Sequence, residues 1–227
     1  MISKWGCFHM IKAVIFDMDG LMFDTERVGK DAILQSGKDF GYDISLDLHR
    51  KMLGRNAKDI ENMLKEEFGD DFPYHDMWNH VFELMNQYYD EHGIPVKEGL
   101  EDLLKFLKEK NIKVAVASSS KSEVIKSHLQ STNLIQHYDF IVGGDQIHHG
   151  KPNPEIFLKA VDHFEINPEE ALVLEDSKSG ILAAHAGNMP VICIPDLIEH
   201  EKEIIDLTWH TLPSLKDVIE VLKECTI

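Results

Sequence analysis

Six side chains spread through the 227-residue sequence have the types and spacing to perform one reaction together. Asp17 and Asp19 stand two positions apart ahead of Gly20, and Glu175 and Asp176 are adjacent. Ser118 opens a run with Ser119 and Ser120, and Lys151 lies in Gly-Lys-Pro-Asn-Pro at 150–154. Four carboxylates cannot gather uncompensated, because like charges at short range repel strongly. A hard divalent cation resolves the conflict, and Mg²⁺ suits one or two carboxylates, waters and a substrate phosphate. Lys151 adds a compact positive charge and Ser118 a hydroxyl donor. Cation, ammonium and hydroxyl are what the equatorial oxygens of a transferring phosphoryl group require. One carboxylate is then available as nucleophile and another as general acid and base. Taken singly, each residue has a plainer reading: the aspartate pair as a turn, Ser118 as a turn hydroxyl, Lys151 as a solvated loop lysine, Asp176 as a helix N-cap. The chemistry needs them in one place.

The elements between them bring them there. Ala13–Phe16 is a short, β-prone apolar run that ends at Asp17. Buried parallel strands read this way, apolar along their length with polar groups at the C-terminal end. Val114–Ala117 repeats the pattern before Ser118, and Phe140–Val142 before Gly143-Gly144. Ala171–Leu174 does so before Glu175-Asp176, and Val191–Ile194 before Pro195. Helix-period stripes alternate with them: Leu100, Leu103, Leu104 and Leu107; Val124, Ile125 and Leu129; Ile156, Phe157, Ala160, Val161 and Phe164. Ser120 with Glu123 reads as a capping box opening the second of these helices. Strand then helix, repeated, predicts an α/β fold: a three-layer, Rossmann-like parallel sheet with right-handed crossovers. In such sheets ligands bind outside the carboxyl ends of the strands, which is where the six side chains fall.

Residues 25–94 break the rhythm with two helical stripes and no strand: Ile60, Met63, Leu64 and Phe68, then Met77, Val81, Leu84, Met85 and Tyr88. The expected organisation is a core of residues 11–24 and 95–227 with an inserted helical cap at 25–94. Residues 1–10 read as an N-terminal extension outside the fold.

Composition narrows the function. A formal net charge of −17 argues against a nucleic acid or an anionic membrane as the main partner, since both are bound by surplus positive charge. No apolar run approaches the ~18 residues a membrane span needs. Cys7, Cys193 and Cys225 are widely separated, so neither a disulfide framework nor a paired-cysteine metal site is expected, and a reducing, cytoplasmic setting fits. Among the 13 histidines, His148-His149 and the pair His75 and His80 lack a metal-binding spacing and read as surface or satisfied residues. Cys193, in an apolar run, reads as buried and inert.

Asp-Met-Asp-Gly-Leu-Met-Phe-Asp-Thr-Glu at 17–26 resembles the first motif of the haloacid dehalogenase superfamily. Val-Ala-Ser at 116–118, Gly-Lys-Pro-Asn-Pro at 150–154 and Leu-Glu-Asp-Ser at 174–177 resemble the remaining motifs, in order. The resemblance covers the chain from Lys12 onward. The insertion is similar to the small helical cap of the subfamily holding β-phosphoglucomutases, phosphoglycolate phosphatases and sugar-phosphate phosphatases.

That resemblance implies roles. Asp17 would become an aspartyl phosphate. Asp19 would protonate the leaving alcohol and then deprotonate the hydrolytic water. Ser118 and Lys151 would hold the phosphoryl oxygens, with Ser119, Gly20 and Glu26 around the phosphate. Mg²⁺ would be bound by Asp17, the Asp19 backbone carbonyl, Asp176 and Glu175. Arg55 and Lys58, in the Gly-Arg-Asn-Ala-Lys turn at 54–58, would reach a second anionic group or sugar hydroxyls. The presence of Asp19 favours phosphoryl transfer over dehalogenation, because displaced halide needs no proton. The implied activity is Mg²⁺-dependent hydrolysis of a small phosphorylated metabolite, a sugar or polyol phosphate, by a monomer. The main rival is a phosphosugar mutase. In β-phosphoglucomutases a histidine lies ten positions after the second aspartate, where this chain has Gly29, and that favours hydrolysis. A non-catalytic binding module would have lost a motif residue, and none is lost.

Overall fold

The computed structural model describes residues 10–53, 55, 57–197 and 199–225. The expected extension at 1–10 lies outside the described residues except for Met10.

The apolar run Ala13–Phe16 forms β1, buried at every position. Four helices follow: α1 (Thr25–Asp39), α2 (Leu46–Met52), α3 (Ala57–Phe68) and α4 (Tyr74–His92). Strands and helices then alternate: α5 (Leu100–Glu109), β2 (Lys113–Ser118), α6 (Ser122–Ser131), β3 (Phe140–Gly143), α7 (Glu155–Phe164), β4 (Ala171–Glu175) and α8 (Lys178–Ala186). The chain closes with β5 (Val191–Cys193), α9 (Lys202–Ile205), β6 (His210–Thr211) and α10 (Val218–Cys225). The chain divides into two compact units, one running to Asp24 and resuming at Val96, the other Thr25–Pro95.

The first unit is a six-stranded, wholly parallel sheet in the order β3-β2-β1-β4-β5-β6, an α/β Rossmann-like fold. Chain progression runs one way from β1 through β3 and the other way from β4 through β6. The topological switch point therefore falls between β1 and β4. Register fixes what stands there. Phe16 is level with Leu174 on one side and Val116 on the other, so Asp17 and Glu175 leave the sheet side by side and Ser118 emerges next to them. The Asp17 N–H donates to the Leu174 carbonyl at 3.0 Å. Beneath this rim Ile15, Ala115, Val173, Phe157, Ile181 and Val191 pack into a continuous apolar core.

The helical stripes turn their apolar residues inward as their periodicity predicts, except at Val124 and Tyr88, which are exposed. Ile125 and Leu129 of α6 are buried. β6 has no apolar run to announce it; its two residues pair only with β5. The two exits of the chain from this unit are tied together. Phe23 pairs antiparallel with Val96, the Lys97 N–H donates to the Met22 carbonyl at 2.9 Å, and the Lys97 ammonium reaches Asp196 at 2.6 Å and Asp24 at 3.3 Å.

In the second unit, Ala32, Ile33, Ile44, Leu48, Leu64, Phe72, Met77 and Val81 form a separate core. Buried Ser36 of α1 donates to the Met77 carbonyl of α4 at 2.9 Å, pinning the two longest helices of this unit to each other. The described residues of 25–95 contain no strand. No helix among the described residues is long and apolar enough to cross a membrane.

Candidate active site

β1 delivers Asp17 and β4 delivers Glu175, and the loop at 150–154 places Lys151 between them. The Lys151 ammonium lies 2.5 Å from Asp17 Oδ1 and 2.6 Å from Glu175 Oε1. It also lies 4.8 Å from the centre of the Phe157 ring, whose face favours a cation. Glu175 is completely buried. Its Oε2 accepts from the Asp176 N–H at 3.0 Å, the Ser177 N–H at 2.8 Å and the Ser177 hydroxyl at 2.9 Å. With Lys151 on Oε1, four donors hold one carboxylate, so Glu175 orders the turn that carries Asp176.

Burial is costly for these charges. It pushes the Asp17 carboxyl up to about 8, against the pull of Lys151 and with the Glu175 and Asp19 charges adding to the rise. Burial alone would lower the Lys151 ammonium, but Asp17 and Glu175 more than offset it and hold the group above an ordinary lysine. The local charge balance is thus short of positive charge. Asp17, Glu175 and Asp176 each offer an oxygen within 4.8 Å of the others, a donor set of hard oxygens that fits a divalent cation such as Mg²⁺. The fit is also steric. A Cβ on Gly20, held at φ +83°, would collide with Asp176 Oδ2. The Gly20 N–H donates to the Phe23 carbonyl at 3.0 Å. The absence of a side chain at Gly20 thus leaves room for the Asp176 carboxylate.

Ser118 is buried at the end of β2, and its hydroxyl donates to Asp19 Oδ2 at 3.3 Å. Ser120 donates to the same oxygen at 2.9 Å. This overturns the capping box expected from Ser120 and Glu123. α6 begins at Ser122, whose N–H and hydroxyl both donate to Asp145 Oδ1 at 2.7 Å, so a tertiary carboxylate covers the helix start. The N-cap of α8 is likewise Ser177 rather than Asp176; its hydroxyl accepts from the Gly180 N–H. Ser119 lies exposed beside Ser118.

Asp17, Asp19, Gly20, Ser118, Lys151, Glu175 and Asp176 thus share one rim of the sheet. Glu26, Arg55 and Lys58 belong to the other unit. There the Arg55 Nε donates to the Lys51 carbonyl at 2.7 Å, and exposed Lys58 lies 3.5 Å from Glu61. Gly54 and Asn56 of that turn lie outside the described residues.

Some site residues carry no sequence signal. Phe157 reads only as part of a core stripe, and Ser177 as the last letter of a motif. His200, whose Nε2 lies 2.6 Å from the Asp176 carbonyl oxygen, comes from an irregular segment after β5.

The model of the haloacid dehalogenase-like hydrolases matches residues 14–194, which span every motif at this rim. The chain belongs to that family. A Thermotoga maritima protein named phosphorylated carbohydrates phosphatase is 31% identical over 94% of this chain and 99% of its own length. An Arabidopsis thaliana (DL)-glycerol-3-phosphatase is 31% identical over 82% of this chain and 80% of its own. Among solved structures, one from Thermotoga maritima, named provisionally as a β-phosphoglucomutase, superposes with a TM-score of 0.80 at 29% identity, covering 94% of this chain and 99% of the other. The family hydrolase described here is therefore an enzyme built on a shared scaffold, with its acidic, hydroxyl and ammonium groups gathered at the sheet's switch point.

Proposed function

We propose that this hydrolase is a Mg²⁺-dependent phosphomonoesterase acting on small sugar or polyol phosphates through an aspartyl-phosphate intermediate. The observation that carries the reading is the convergence of Asp17, Lys151 and the Asp19 carboxylate at the rim between β1, β2 and β4. Asp17 attacks phosphorus as the ester P–O bond breaks, and Asp19 gives its proton to the leaving alkoxide. The Asp19 carboxylate then takes a proton from water as that water attacks the acyl phosphate, releasing inorganic phosphate and restoring Asp17. Lys151 has three ammonium donors, of which Asp17 and Glu175 use two, and the third serves a phosphoryl oxygen. Bound Mg²⁺, held by Asp17, Asp176 and the Asp19 carbonyl with Glu175 beside them, would neutralise the carboxylates and the charge of the transferring group. In this reading residues 25–94 are a cap domain that selects substrate, with Glu26, Arg55 and Lys58 as its candidate substrate contacts.

The names of the relatives at 31% identity support a carbohydrate or glycerol phosphate as substrate class. The test is phosphate release from a panel of sugar and polyol phosphates and from 4-nitrophenyl phosphate, before and after chelation. Turnover that needs Mg²⁺ and vanishes in Asp17→Asn is the expected result. Full activity of Asp17→Asn would remove the nucleophile. The mutase reading draws on the provisionally named structural neighbour, and Gly29 opposes it. A hexose 1-phosphate separates the two, giving free phosphate for the hydrolase and the 6-phosphate for the mutase.

A further inference from the structure

We infer that Ser120 is a positioning residue for proton transfer, holding the Asp19 carboxylate in place once substrate has drawn Ser118 away. This rests on the phosphatase reading above. Two hydroxyls converge on Asp19 Oδ2, Ser120 at 2.9 Å and Ser118 at 3.3 Å. Each serine has one proton to donate. Ser118 stands where a phosphoryl oxygen must be met, and a hydroxyl that turns to that oxygen no longer donates to Asp19. Ser120 still donates its hydroxyl to the general acid.

The surroundings of Ser120 are built to keep its hydroxyl there. Its N–H donates to Ser118 Oγ at 3.0 Å, and its carbonyl accepts from the Gly144 N–H at 2.9 Å. The next turn is tied to Asp145 through both polar groups of Ser122. The close approach of the two loops depends on paired glycines. A Cβ on Gly143 would lie 2.5 Å from the Ser122 nitrogen and 2.8 Å from the Ser120 oxygen, and one on Gly144 would collide with the Ser119 carbonyl. A loop fixed at this many points sets the serine oxygen before substrate arrives, so Asp19 meets no reorganisation at the moment of transfer.

The experiment compares esters by how much their leaving group needs a proton. With the full chain and Mg²⁺, kcat/KM is measured for glycerol 3-phosphate, whose alkoxide must be protonated, and for 4-nitrophenyl phosphate, whose phenolate leaves readily. This parameter reports the step that expels the alcohol, before the common hydrolysis of the intermediate. Ser120→Ala is expected to lose about 10-fold on the alkyl ester, part of what a general acid supplies, and clearly less on the aryl ester. Ser120→Thr, which keeps the hydroxyl, restores the alkyl activity. In an Asp19→Asn background Ser120→Ala adds no further loss, because the two act as one unit. Equal losses on both esters, independent losses in the double variant, or a gain on the alkyl ester would each overturn the role of Ser120. A wild-type protein inactive on every phosphate ester would instead remove the phosphatase reading, and this inference with it.

Discussion

Lys151 and Glu175 form an ion pair shut away from water, with Nζ 2.6 Å from Oε1 and the Glu175 side chain wholly inaccessible. The same ammonium neutralises Asp17. Removing one partner of such a pair leaves buried charge without compensation, which costs far more than the pair itself contributes. Lys151→Met is therefore expected to lose turnover and also about 3–5 kcal/mol of stability in chelated buffer. Added Mg²⁺ should return part of that stability, since a ligand that binds only the folded state stabilises it. Thermal unfolding with and without Mg²⁺ checks both. A variant as stable as wild type in chelator would show that these carboxylates are not crowded.

Asp17 carries the opposite trade. Its carboxylate is buried beside Glu175, and burial, Glu175 and Asp19 all disfavour its charge. Asp17→Asn keeps the shape and replaces a carboxyl whose ionised form the cluster disfavours with a group that is never charged. The expected outcome is loss of turnover together with a higher unfolding temperature than wild type in metal-free buffer. The gain should shrink when Mg²⁺ is added, because wild type then binds the ion more tightly than the variant. Calorimetry of the two proteins in chelator decides it, and a lower unfolding temperature for the variant would contradict the charge argument.

Much of this site is legible before any coordinates, for a physical reason. Buried parallel strands must be apolar along their length, so the polar residue that ends each run marks the rim, and Asp17, Ser118 and Glu175 are marked that way. What escapes is whatever depends on contacts between distant segments. Ser120 has the local pattern of a helix cap, but Asp19 at 2.9 Å takes its hydroxyl and Asp145 takes over the helix start. Ser177 displaces Asp176 as a cap because the chain turns one residue later than the spacing suggests. His200 and β6 sit in segments with neither periodicity nor apolar runs, so nothing local announces them.

Gly29 lies inside α1, where a glycine weakens the helix through its extra backbone freedom. Its place imposes no need for glycine. A Cβ there would touch only the Met85 side chain, at 3.8 Å, an ordinary contact. Gly29→Ala is expected to stabilise the helical unit by about 0.5–1 kcal/mol. Denaturant unfolding with an unchanged slope is the check, and a destabilised variant would mean that this backbone is held for some other purpose.

His80 on α4 bonds two carboxylates, Asp39 at the end of α1 at 3.0 Å and Glu83 at 3.3 Å. The hydrogen bond to Asp39, then that to Glu83, raises the imidazole above its ordinary range, and the bond from His80 lowers Asp39 below its own. The signs define a window. A raised histidine contributes stability that is fully present below about 6.5 and is lost as pH climbs through its folded value. A lowered aspartate contributes stability present above about 3.9 and lost as pH falls through its folded value. The pair therefore supports the α1–α4 contact most in mildly acidic solution, from about pH 4 to 6.5, and weakens above neutrality. Both groups face solvent, so the effect is small and salt diminishes it. An NMR titration of the His80 ring is expected to show a midpoint above that of an ordinary histidine. Asp39→Asn should bring it down, and Glu83→Gln should move it less. A midpoint indifferent to Asp39→Asn would show that the two helices are not joined through this bond.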